Sequence, residues 1–150
     1  MIALFSAAGL MLSAIVVTSD VPLEHRTRVD HTSGSVEAHY TGTVHLVAKQ
    51  VGSPGPGGRA STLRCEWSAK LTVNREARHE AGGLLSHSMT DREGIALSRP
   101  GWCNSHRGAV KAEIASRTDE LQQRLVALAA EDRDTLLAQV ERQNEQRNAG

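Results

Sequence analysis

The chain has 150 residues, of which 17 are basic and 17 acidic, so its formal charge is zero. That length sets one domain, and the even balance argues against nucleic acid, which attracts proteins through excess positive charge. Aromatic residues are limited to Phe5, Tyr40, Trp67 and Trp102, which leaves little for base stacking and rests the core on Leu, Val and Ala around two tryptophans.

Met1 to Ser19 carries no charge, and Ile2 to Val17 is continuously apolar or small. Such a stretch falls short of the roughly 20 residues of a membrane span and fits the apolar region of a secretory leader. Residues 1–19 are therefore expected to be a signal peptide, cut before Asp20, with a retained N-terminal anchor as the alternative. The stretch departs from the leader pattern in lacking Lys or Arg before it and Ala-x-Ala at its end. Membrane contact is expected only if it is retained.

Val21 to His31 alternates weakly and suits a first or edge strand. Thr32-Ser33-Gly34-Ser35 is a turn by composition. From Val36 to Val51 the alternation is clear. Val36, Ala38, Tyr40, Gly42, Val44, Leu46 and Ala48 share one face; Glu37, His39, Thr41, Thr43, His45 and Lys49 share the other. Gly42 in mid-strand points to a bulge or a close neighbour. The Pro- and Gly-rich run from Gly52 to Gly58 is a hairpin loop.

The strictest pattern follows. Leu63, Cys65, Trp67, Ala69, Leu71 and Val73 alternate with Arg64, Glu66, Ser68, Lys70, Thr72 and Asn74, the signature of a strand with one dry and one wet face. It should pair antiparallel with the 36–51 strand. Gly82-Gly83 marks another turn. Leu84 to Met89 and Gly94 to Ser98 form either one bulged strand or a short hairpin about Asp91–Gly94. Arg99-Pro100-Gly101 ends the sheet region.

From Ser105 the period changes to 3.6. Val110, Ile114, Leu121, Leu125, Leu128, Leu136 and Val140 fall on one stripe. Asn104 or Ser105 is the expected N-cap. Asp132 interrupts the stripe, so a kink or break is expected across 131–134. The fold class is α+β: a small antiparallel sheet of three to five strands, built from 36–50, 61–75 and 84–98 and covered by a long C-terminal amphipathic helix. The alternative is a β-sandwich with an appended helix. Residues 20–130 form the sheet-plus-helix domain, and residues 131–150 a distal helix with a polar tail.

Cys65 and Cys103, 38 positions apart, are expected to form a disulfide in an oxidising compartment. No Cys-x-x-Cys is present, and an apolar strand face is a poor setting for a reactive thiolate. Glu37, His39 and His45 share a wet strand face and are weak metal candidates, without His-Glu-x-x-His or Cys-His spacing. No resident metal or other cofactor is expected. Ser86-His87-Ser88 and Ser105-His106-Arg107 lack a nucleophile elbow, and neighbours in sequence do not face one another in space.

Trp102 is expected to lie at the corner between sheet and helix, packed as a lid or exposed as a binding anchor. A helix over 107–146 would be about 60 Å long, against about 17–20 Å for an ordinary strand. On that mismatch, Leu136, Leu137 and Val140 are expected to reach past the domain toward a protein partner or a second copy. No grouping supports an enzyme. The leading expectation is a non-catalytic, periplasmic or secreted cell-envelope interaction or structural protein. The alternative is a small ligand- or metal-binding module, using the His39/His45 face or a pocket between helix and sheet.

Overall fold

The structure, a computed structural model, describes residues 15–55, 57 and 61–150. Residues 1–14 of the expected leader and parts of the 52–58 loop lie outside the described residues.

The alternating segments are strands: β1 (Ile15–Val29), β2 (Val36–Val51), β3 (Arg64–His79), β4 (Leu84–Thr90) and β5 (Ile95–Pro100). β2 and β3 pair antiparallel without a break, from Val36 opposite His79 to Val51 opposite Arg64. β1 flanks β2. The other edge holds β4 and β5, which both pair antiparallel with β3, against Thr72–Arg78 and Arg64–Ala69 respectively. They are thus collinear pieces of one edge, separated by a 91–94 loop. The bulged-strand reading is correct; a hairpin would have set them side by side.

Among the described residues the sheet is open, with β1 and the β4–β5 line as its edges. The strand count differs from three to five when pairing segments are counted. β1 shifts register between Ser19 and Leu23, and its two halves counted apart make six segments. The first half is residues 15–19, which the sequence assigns to the leader. Here they pair with Ala48–Val44 of β2.

One face is dry. Along β3, Cys65, Trp67, Ala69, Leu71, Val73, Arg75, Ala77 and His79 are all buried. Two helices cover it: α1 (Arg107–Ser116) and α2 (Thr118–Ala149). Val110, Ile114, Leu121, Leu125, Ala129, Leu136 and Val140 are their core residues. Among the described residues no second sheet is formed; a helix layer occupies its place.

The long helix fits its sheet because the strands are long. β2 and β3 have 16 residues each, about 53 Å at 3.3 Å per residue. The 32 residues of α2 span about 48 Å at 1.5 Å per residue. An ordinary strand length was the wrong ruler.

α2 is continuous through Asp132, so the expected break at 131–134 is absent. The interruption is at Arg117, between α1 and α2. There the Ser116 and Thr118 hydroxyls donate to the carbonyls of Glu113 and Ala115, a local competition that loosens a helix turn. The expected Asn104 or Ser105 cap is also replaced. Cys103–Ser105 forms a 3₁₀ turn, and His106 precedes α1 without a capping side-chain bond. The disulfide holds this start against β3 and leaves those residues in the turn.

Gly42 is explained by a close neighbour. A Cβ there would stand 2.8 Å from Leu125 Cδ1 of α2 and 3.0 Å from Leu23 Cβ. The helix approaches the sheet where no side chain intervenes. Leu23, just past the β1 register shift, is its strand partner.

Candidate functional site

Two charges sit where the alternation and the helical stripe demand apolar residues. Arg75 occupies a dry-face position of β3, and Asp132 a core position of α2; their residues are 1% and 4% exposed. Arg75 Nε donates to Asp132 Oδ2 at 2.8 Å and Nη2 to Oδ1 at 3.2 Å. Arg75 Nη1 also donates to the Leu85 carbonyl at 3.1 Å and to Gln139 Oε1 at 2.7 Å. The Tyr40 hydroxyl donates to Asp132 Oδ2 at 2.9 Å. Burial, followed by the Asp132 hydrogen bond and charge, raises the pKa of that hydroxyl. A desolvated pair survives when its remaining donors and acceptors are satisfied, and these partners do so.

Asp132 is also the floor of a groove. The groove has a volume of about 790 Å³ and lies between β4, the 91–94 loop and α2. His87 stands at its rim, with Nε2 4.0 Å from Asp132 Oδ1. Arg124 of α2 holds the loop by donating to Asp91 Oδ2 at 2.9 Å, to the Glu93 carbonyl, and to Glu120 at 3.1 Å. The Asp91 hydrogen bond raises the Arg124 pKa. Arg92, Glu93, Glu131 and Thr135 line the groove and are exposed. The result is a concave polar site with two pinned walls.

Cys65 and Cys103 are bonded, with their Cα atoms 4.9 Å apart. Gln50 completes this corner: Nε2 donates to the Arg64 and Gly101 carbonyls, and Oε1 accepts from the Cys103 amide at 2.8 Å. Trp102 is not a lid, being 56% exposed. The disulfide and Gln50 already fill the corner.

Leu136 and Val140 are fully buried, and Leu137 packs against the same core. The expected projection of these three toward a partner is corrected: the long sheet lies beneath them. Glu37, His39 and His45 all face the open side of the sheet, but they do not converge. His39 and His45 are six residues apart on β2, about 20 Å at strand rise. His39 faces Glu24 at 3.7 Å, and His45 lies opposite Thr18 and Lys70. Among the described residues, no group of three His, Cys, Asp or Glu side chains is placed to hold a metal. Strand alternation puts Ser86 and Ser88 on the face opposite His87. His106 Nε2 bonds the Pro100 carbonyl at 2.6 Å.

The sequence reading missed Arg75, Gln139 and Arg124. A signal existed for Arg75, which continues the parity of the dry face from Val73 to Ala77 while Asp132 interrupts the helical stripe. Opposite charges on two dry faces are candidates for one another. Nothing in the pattern identified Arg124.

Family models, curated proteins and solved structures were compared with the chain, and none matched.

Proposed function

We propose that the protein is an exported, non-catalytic binding module whose ligand lies in the groove between the 91–94 loop and α2. The observation that carries this reading is the convergence of polar side chains in a concave site of ligand-pocket size, on walls pinned by Arg124–Asp91 and Arg75–Asp132. Export is supported by the Cys65–Cys103 disulfide; residues 15–19 pair with β2 within the fold, so they are not part of a removed leader. Among the described residues, no helix is long and apolar enough to cross a membrane.

The charge balance favours a ligand bearing a cationic group. The groove carboxylates are Asp91, Glu93, Glu131 and Asp132, and its guanidinium groups are Arg92 and Arg124. Asp91 is spent on Arg124 and Asp132 on Arg75. Glu93, Glu131 and Arg92 remain exposed at the rim, which leaves an excess of one carboxylate. Asp132 accepts bonds from Arg75 and Tyr40, which suits a structural carboxylate better than a proton carrier.

The test is an amide NMR titration of the disulfide-bonded protein with three probes of one length: a diamine, a dicarboxylate and a neutral diol. The diamine should give saturable shifts at residues 87–93 and 124–135, and Glu131→Gln should weaken them. An absent response, or the same response to all three, overturns the reading. A protein partner docking at the sheet–helix corner is the second reading, favoured by the exposure of Trp102.

A further inference from the structure

A row of side chains closes the far end of the molecule. Arg147 Nη2 lies 2.9 Å from His79 Nδ1, and His79 Nε2 lies 3.1 Å from Ser33 Oγ. Ser33 Oγ lies 2.7 Å from His31 Nδ1, and His31 Nε2 lies 2.6 Å from Glu141 Oε1. The row joins the β1–β2 turn, the end of β3 and the last turns of α2.

Proton positions follow from the chemistry. Arg147 can only donate, so His79 Nδ1 accepts and His79 Nε2–H donates to Ser33. The Ser33 amide donates to His31 Nδ1 at 3.1 Å, so that nitrogen accepts and the Ser33 hydroxyl points toward it. His31 Nε2–H then donates to Glu141. Every link is satisfied with both imidazoles neutral.

Ser33, His31 and Glu141 are in the order of a nucleophile, base and orienting acid, but the surroundings favour another role. The nearby backbone donors are taken: Ser33 N by His31 Nδ1, Gly34 N by the His31 carbonyl, and Ser35 N by Glu80. Acyl transfer draws on such donors for its oxyanion.

We infer that the row is a pH-sensitive latch, in which protonation of His79 releases the last turns of α2 from the sheet. His79 is 4% exposed. A second ring proton would point Nδ1–H at the Arg147 guanidinium, donor against donor and cation against cation, in place of a hydrogen bond. Arg147 keeps its bond to the Ala81 carbonyl, but the ring contact becomes repulsive.

The other charged groups around the row are Glu141 on α2, Glu80 in the β3–β4 turn, and Arg28 and Asp30 at the end of β1. Glu80 is engaged by the Ser35 amide and hydroxyl, which lower its pKa, and Arg28 pairs with Asp30. The two histidines face different groups: Arg147 lies against the His79 ring and Glu141 against the His31 ring. Acid therefore weakens the latch at His79.

The experiment is amide hydrogen exchange of the full chain, corrected for intrinsic rates, between about pH 8 and about pH 5, where histidine takes its proton. Protection over 141–149 should fall roughly tenfold or more relative to 118–135, as a local opening. His79→Gln should abolish the difference, and His31→Gln should leave it. Arg147→Gln, which removes the opposing cation from an exposed helix end, should also abolish it and serves if His79→Gln fails to fold. A flat profile in the wild type overturns the inference, as does a pH response that persists in Arg147→Gln.

Discussion

Arg75 of β3 and Asp132 of α2 meet in a two-point ion pair, with side chains 0% and 1% exposed. The pair fixes which turn of α2 lies over the Arg75 position of β3. The apolar stripe alone tolerates a slide along a smooth dry face; a bidentate bond with Tyr40 and Gln139 beside it does not.

Asp132→Ala should therefore destabilise the protein by about 3–5 kcal/mol, because it leaves a guanidinium buried without its partner. Arg75→Met with Asp132→Leu should recover most of that loss, since apolar replacements of buried pairs are often neutral or better. Urea unfolding of the wild type and both variants reads the difference. A single variant that costs under about 1 kcal/mol would show the pair to be solvated in solution.

Deleting residues 131–150 should collapse the fold rather than trim a tail. Leu136 and Val140 are fully buried, and truncating one buried leucine to alanine costs about 2–5 kcal/mol. The deletion also removes Asp132 and uncovers one end of the sheet. Calorimetry of a chain ending at Ala130 should show no cooperative transition, or one far below that of the intact chain. A nearly unchanged melting temperature would place α2 outside the core.

Tyr40 is the sole tyrosine, so the absorbance of tyrosinate reports on it alone. Its folded pKa is raised by burial and by Asp132, so folding favours the neutral form. That contribution is fully present below the ordinary value of about 10 and is lost as pH rises above it. Tyrosinate should therefore be absent at about pH 10 and form only with alkaline unfolding. A reversible titration at the ordinary value in folded protein would show the Tyr40–Asp132 bond to be open.

Reducing Cys65–Cys103 should lower stability by about 4 kcal/mol, on the chain-entropy account for a loop of 38 residues. The loss should centre on the corner where Cys103 starts the turn into α1. Comparison of denaturation with and without reductant, beside a Cys65→Ala/Cys103→Ala double variant, checks it. An unchanged midpoint would mean that Gln50 and the surrounding packing hold the corner unaided.

The strands were legible because alternation is a local property. Leu63 to Val73 and Val36 to Ala48 each declare a dry face whatever lies across from them. The disulfide was legible from compartment and composition, since one of two cysteines lay on that dry face. The Gly42 contact was half legible: a glycine in mid-strand announces a close neighbour, but not that the neighbour is Leu125 of α2.

The break expected at Asp132 shows where local pattern fails. A charge inside an apolar stripe signals disruption only when nothing opposite can pair with it. Arg75 lies 57 positions away, and its side chain continues the dry face of another element. The same limit governed the distal helix. Leu136 and Val140 were judged against the length of an ordinary strand, whereas β2 and β3 run for 16 residues each and both side chains are buried in the core they share with the helix.

By itself, then, the sequence determined the period of each element, its dry face and the α+β class, because these depend on spacing within one segment. Tertiary structure alone decided that Asp132 pairs with Arg75, that the 91–94 loop and α2 enclose a groove, and that His31, Ser33 and His79 line up between Glu141 and Arg147. These contacts join groups from distant segments. Their partners are selected by register, helix placement and desolvation, none of which is written in the spacing of either segment alone.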